Sequence, residues 1–388
     1  MWRELDGGSA APRVNNTASE QVGTVVQVGT VHGGVRFASA WSDDVPVPRE
    51  LPGDVNSFVG RREQMVALDR FLAEAEEVSP YSPAIVTVVS GTAGVGKTAL
   101  VTHWAHSRGD RFPDGQLYVN LRGYGPDSPL STVQAQAEML RSLGVPDGRL
   151  PKSVDARAKH FRSLVAGRRM LVVLDNANSA EQVRPLLPGV SSCLVLITSR
   201  DNLGGLISRD GARRIDLGLL PRTQAVELLR MLIGPRVDWE PVAANQLVNH
   251  CARLPLALRI VADLAVSNHD APLAELVGEL ADEQHRLDLL NAGSDPRTAV
   301  RAVFSWSYRG LDDREARVFR LLGLHSGRSY TPAGVATMAD IETFQADRAL
   351  RSLAQAHLIE RIGNQQFRMH DLLRLYASEL ALAEGELA

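Results

Sequence analysis

The chain has 388 residues, which at roughly 100–200 residues per domain leaves room for about two to four domains with real cores. Its composition is that of a globular protein, 44% hydrophobic and 22% charged, and a net charge of −3 excludes a global field drawing it to nucleic acid or to an anionic membrane. Cys193 and Cys251 stand far apart without metal-ligand spacing, which argues against a disulfide framework or a zinc site and fits a reducing, cytoplasmic compartment. The first residues carry acids and no signal-peptide core, and the longest apolar runs are strand-sized, so no membrane span is expected.

Residues 1–56 read as a largely disordered tail and linker. They are rich in Gly, Ser, Thr, Val and Pro without a helical period, residues 21–35 carry no formal charge, and QVGT occurs at Gln21 and again at Gln27. Uncharged, proline-free, Val- and Thr-rich chain can stack in register as cross-β. Residues 21–37 are therefore a candidate amyloid-like signalling segment, beside the plainer reading of a tail or a docked edge strand. The proline-punctuated run 43–54 reads as a linker.

From 57 to 219 strands and helices alternate. A buried strand (84–90) is followed by a helix (97–107), and the turn between them, Gly91-Thr92-Ala93-Gly94-Val95-Gly96-Lys97-Thr98, fits the GxxxxGK[ST] phosphate-binding loop in the strand–helix context that motif requires. Its glycines let backbone N–H groups point inward as an anion nest, and the helix N-terminus through Ala99 adds its dipole. Lys97 supplies a point charge for the β- and γ-phosphates, and Thr98 a hydroxyl for Mg²⁺. The expected ligand is ADP or ATP with Mg²⁺.

A second strand (116–121), helices over 130–143 and 155–166, and a third strand (170–174) lead to Asp175, at the strand end where open α/β sheets bind ligands. Asp175 is expected to hold the metal through water, which makes Thr98 and Asp175 the candidate metal residues. Asn176 follows where many hydrolytic P-loop enzymes place an acid. An amide cannot accept a proton from water, so a slow ATPase is the most that is expected. A fourth strand (193–199) ends at Arg200, a candidate bidentate reader of the γ-phosphate, and 213–217 gives a fifth. Lys97, Asp175 and Arg200 are the candidate catalytic residues. Continuous apolar strands between helices imply an α/β P-loop NTPase domain with a parallel sheet covered on both faces.

Residues 220–294 are purely helical in pattern, with apolar spacings of three and four. Residues 295–388 give several helices and then two short β-like pieces separated by Gly363 and Asn364, the pattern of a winged-helix domain. Residues 301–388 contain 11 Arg, no Lys and 11 Asp plus Glu, so DNA binding by this block is the weaker expectation.

In this order the motifs resemble the NB-ARC family of STAND P-loop ATPases. These are the switch modules of plant disease-resistance proteins and of the apoptosome scaffold, and the form here is similar to that in antibiotic-regulatory proteins of filamentous bacteria. The resemblance covers about residues 57–377. FVGRREQM (58–65) resembles the family's opening motif, whose backbone and arginine contact adenine and ribose, which implies Val59, Gly60 and Arg61 at the nucleotide. FPDGQLYVNLRGY (112–124) is similar to the motif after the first helix, LVVLDN to the metal-site strand and LITSR to the sensor strand. ARLPLAL (252–258) resembles GLPLA, which implies that Pro255 packs on the base and that Arg253 stands in the glycine's place. MHD (369–371) stands as the family writes it and implies that His370 contacts the β-phosphate of ADP from the winged helix. VQVG (26–29) resembles the core of RIP-homotypic-interaction-like amyloid signalling motifs.

The resemblance implies a signal-transduction switch that is closed with ADP and self-associates with ATP. Its output would be the N-terminal segment templating an effector protein. Family members usually carry a C-terminal repeat sensor, and the chain ends 17 residues after the MHD triplet, so a trans-acting sensor is expected if the chain is not truncated. The alternative is an ATP-dependent transcriptional regulator of the antibiotic-regulatory-protein type. That class has an N-terminal helix-turn-helix, whereas the segment before residue 58 has 4 basic and 7 acidic residues and no helical pattern.

Overall fold

Alternating apolar strands and helices produce one parallel sheet. In the computed structural model, which describes residues 47–77, 82–189, 192–291, 299–325, 327 and 329–386, its strands are β1 (Ile85–Ser90), β2 (Gln116–Asn120), β3 (Met170–Ala177), β4 (Cys193–Ser199) and β5 (Arg213–Asp216). Their order is β2-β3-β4-β1-β5, and every pairing is parallel. The tail 1–46, and with it the candidate segment 21–37, lies outside the described residues.

The period of two along each strand divides the interior. Val172, Leu174, Val195 and Ile197 join one apolar cluster, and Leu171, Val173, Leu194 and Leu196 join another. Helices α1 (Arg62–Glu77) and α2 (Lys97–Ser107) cover the second face through Leu68, Leu100 and Trp104. Helices α3 (Thr132–Ser142), α4 (Val154–Val165) and α5 (Ala180–Val183) cover the first through Leu140, Phe161 and Val183, and α6 (Gly204–Asp210) precedes β5. The helix expected from residue 130 starts at Thr132 because Ser131 caps it, accepting from Gln134 N–H at 3.3 Å while the Gln134 side chain accepts from Ser131 N–H at 3.1 Å.

The run 43–54, expected as linker, does more than connect. Gln116 N–H donates to Pro48 O at 2.8 Å and Glu50 N–H donates to Gln116 O at 3.1 Å, so residues 48–50 pair with the outer edge of β2. Proline has no N–H to give, but on an edge its carbonyl is enough.

Beyond β5 come α7 (Arg222–Ile233), α8 (Arg236–Trp239), α9 (Pro241–His250), α10 (Pro255–Ser267), α11 (Leu273–Ala281) and α12 (Arg286–Leu289). Helices α13 (Val300–Tyr308), α14 (Asp313–Leu324), α15 (Pro332–Ala339) and α16 (Thr343–Gln355) follow. The antiparallel pair β6 (Glu360–Gly363) and β7 (Gln366–Arg368) then leads into α17 (Asp371–Ala383). Val261 of α10, Phe304 of α13, Phe319 of α14 and Leu372 of α17 belong to the same apolar cluster as Trp104, so the core on one sheet face runs on into the C-terminal helices. No helix among the described residues is long and apolar enough to cross a membrane.

Candidate nucleotide site

A cleft of about 380 Å³ opens at the carboxyl ends of β1, β3 and β4, within the usual range for a small-molecule site. Its walls bring together Val59, Arg61, Gly94, Val95, Gly96, Lys97, Thr98, Ala99, Asp175, Arg200 and Pro255. Gly60, Gly91 and His370 are not among its lining residues. Gly60 lies against the Gln224 side chain, Gly91 offers its carbonyl to Lys97, and His370 lines a neighbouring cavity with Thr92 and Arg253.

The phosphate loop is shaped by close approach. Gly94 has φ +76°, and a Cβ there would lie 2.9 Å from Leu256 Cβ, while Leu256 N–H donates to Gly94 O at 3.2 Å. The start of α10, with Pro255 as its first residue, is thereby seated on the loop. Arg253, in the position the resemblance gives to glycine, adopts the left-handed φ of +59° that a glycine would take without strain. Lys97 Nζ donates to Gly91 O at 2.9 Å and Thr92 O at 3.0 Å. Burial, aided by Arg200 and opposed by Asp175, brings its pKa down to about 7. Arg61 donates from Nη2 to Val95 O at 3.1 Å, and burial lowers its pKa to about 10.

Asp175 is held from three sides. Oδ1 accepts from Thr98 Oγ1 at 2.7 Å and Thr198 Oγ1 at 2.5 Å, and Oδ2 accepts from Tyr118 OH at 2.8 Å. A hydroxyl and a carboxylate side by side are hard oxygen donors of the kind Mg²⁺ takes together with substrate phosphates and water, so the residues present fit that ion. Asn176 has φ +57°, receives no acid's role, and uses Nδ2 to donate to Tyr124 O at 2.7 Å while its N–H donates to Thr198 Oγ1 at 2.9 Å.

Arg200 enters the cleft but is engaged by α13. Its Nη1 donates to Val303 O and to Ser307 Oγ, the latter at 3.3 Å, and its guanidinium lies over the rings of Tyr124 (5.1 Å) and Trp306 (5.4 Å). Burial lowers its pKa to about 10, with Tyr124 acting the other way. The same helix reaches His370, whose ring lies 5.7 Å from that of Phe304. His370 caps α17 by accepting from Leu373 N–H through Nδ1 at 3.3 Å, which leaves the proton on Nε2 as a donor; that atom is buried without a partner among the described residues.

The two enclosed histidines give a pH dependence. Burial, with a smaller push from Arg253, takes His370 down to about 3, and burial followed by Lys97 takes His357 down to about 4. Both are uncharged when folded and titrate near 6.5 when unfolded. Their contribution is present above the unfolded value of about 6.5 and is lost as pH falls from there to about 4 for His357 and about 3 for His370. Acidification from pH 7 to 5 is expected to cost about 1–2 kcal/mol per histidine. Melting curves at the two pH values check this, and a His357→Gln, His370→Gln double variant with an undiminished pH slope would contradict it.

Tyr118, Thr198, Tyr124 and Trp306 escaped the sequence reading. A tyrosine between the apolar Leu117 and Val119 and a threonine two residues before Arg200 were the available signals; nothing local marked Trp306.

Residues 61–236 match the family model of the NB-ARC domain. That segment is an NB-ARC domain, consistent with a STAND P-loop NTPase. Regulatory protein AfsR of Streptomyces griseus is 39% identical over 340 residues, 86% of this chain and 33% of AfsR, so the chain spans about a third of that relative. Disease resistance protein RPV1 of Vitis rotundifolia is 24% identical over 305 residues, 75% of this chain and 20% of that protein. Among solved structures, the ORC2 protein of Aeropyrum pernix superposes with a TM-score of 0.51 at 17% identity, over 87% of this chain and 97% of that one. That likeness is one of fold. The NB-ARC match covers the motifs from Arg61 to Arg200, the segment that builds most of the cleft.

Proposed function

We infer that this NB-ARC protein is an ADP/ATP-controlled signalling switch with Mg²⁺ as its metal, a slow ATPase at most. The observation that carries the reading is the double engagement of α13: Val303 and Ser307 hold Arg200 in the nucleotide cleft, and Phe304 touches His370. In the reading, ADP bound by the phosphate loop leaves Arg200 with α13, and the Nε2–H of His370 is the donor that meets the β-phosphate from the C-terminal block, read as a winged helix. The γ-phosphate of ATP offers Arg200 a bidentate anion in place of a carbonyl and a hydroxyl. Only such differential contact lets a ligand shift a two-state equilibrium. Release of α13 would open the protein for self-association, with the stretch 21–37 as output toward an effector. The free thiols Cys193 and Cys251, both buried, suit a cytoplasmic protein. The experiment is to compare the exposure of α13 with ADP and with a non-hydrolysable ATP analogue.

A second reading, an ATP-dependent transcriptional regulator, is favoured by the 39% identity to a protein named as regulatory. Salt-dependent binding of random duplex DNA separates the two, since phosphate contacts impose a steep salt slope.

A further inference from the structure

Tyr118 belongs to none of the roles assigned so far, yet it is the third hydroxyl on Asp175. It sits in β2, opposite Val173 of β3, and Asp175 is two residues further along β3 on the same face. That diagonal separation is within reach of an aromatic side chain but not of a shorter one. The phenol donates to Oδ2 at 2.8 Å, while Thr98 and Thr198 both donate to Oδ1. The two threonines hold one oxygen of the carboxylate from one side, and Tyr118 holds the other, so a turn about the Cβ–Cγ bond is opposed at both oxygens.

The tyrosine is fixed in turn. Its backbone N–H donates to Glu50 Oε2 at 3.2 Å, and Glu50 belongs to the edge segment paired with Gln116.

The geometry points to Tyr118 as a positioning residue for the metal-facing carboxylate, one that orients Asp175 toward a nucleotide-bound divalent cation without touching the nucleotide. This rests on the reading of Thr98 and Asp175 as the metal residues. Groups that orient a metal's ligands typically change metal affinity by about 10–100-fold when removed.

The test uses the full chain and Tyr118→Phe, which removes one oxygen and keeps the ring. ADP affinity is measured by titration in EDTA and across a Mg²⁺ series, with Asp175→Asn alongside. The expected result is unchanged ADP affinity in EDTA and a Mg²⁺ midpoint raised roughly tenfold or more. A wild-type Mg²⁺ response, absent in Asp175→Asn but untouched in Tyr118→Phe, would overturn the role of Tyr118 and leave the metal reading standing. A parallel loss of affinity with and without Mg²⁺ in Tyr118→Phe would overturn it in favour of a purely structural tyrosine. A wild-type protein whose ADP affinity ignores Mg²⁺ would overturn both the metal reading and this inference.

Discussion

Lys97→Ala is expected to weaken ADP and ATP binding by about 100- to 1000-fold, the range for removing one partner of a buried, hydrogen-bonded charge pair. Two effects act together. The ammonium is the cation of the phosphate loop, and in this structure it is also the clasp of that loop, donating to Gly91 O and Thr92 O at 2.9 and 3.0 Å. Alanine removes the charge and leaves two carbonyls without their donor in a site where Lys97 itself is partly buried. Calorimetric titration with each nucleotide in Mg²⁺ checks the magnitude. A loss of less than tenfold for both would mean that backbone N–H groups carry the phosphates almost unaided.

The second large effect concerns stability. Gly323 lies inside α14, where helix propensity alone makes alanine better by about 1 kcal/mol. Geometry gives the opposite sign. A Cβ at Gly323 would lie 2.4 Å from Ser378 N and 2.6 Å from Ala377 C, both backbone atoms of α17. Neither helix can yield without shifting, and such overpacking costs about 1–3 kcal/mol or more. Gly323→Ala is therefore expected to destabilise by about 2 kcal/mol net. Because His370 caps α17, displacement of that helix also reaches the contact between His370 and Phe304. Denaturant titration decides the sign directly, and a stabilised variant would show that α14 and α17 approach each other less closely than described here.

Much of the site was legible because it is written in consecutive residues. The phosphate loop is eight residues long, its strand and helix flank it at once, and Asp175 and Arg200 each close an apolar run. What was not legible lies across the sheet or between distant elements. Tyr118 reaches Asp175 from the neighbouring strand, so its own run of residues shows a hydroxyl but not the carboxylate it meets. The partner of Arg200 is a helix about a hundred residues further on, and no local pattern distinguishes Trp306 or Ser307 from any amphipathic helix. Residues 48–50 were read as linker from their prolines, whereas an edge position needs only the alternate donors and acceptors that Pro48 O and Glu50 N–H provide. For His370 the triplet pointed to the nucleotide. The imidazole lies in the cavity beside Thr92, with Nδ1 engaged by α17 and Nε2 facing inward, a placement that depends on how the C-terminal helices dock on the sheet.

In the proposed switch one helix, α13, reports which nucleotide the cleft holds. Hydrogen exchange of the backbone amides of Val300–Tyr308 tests it most directly, with the protein saturated by ADP and Mg²⁺ in one sample and by a non-hydrolysable ATP analogue and Mg²⁺ in the other. Slow exchange is expected with ADP and clearly faster exchange with the ATP analogue, a difference that Arg200→Ala abolishes. Equal exchange of α13 in the two nucleotide states, at proven saturation of both, would contradict it.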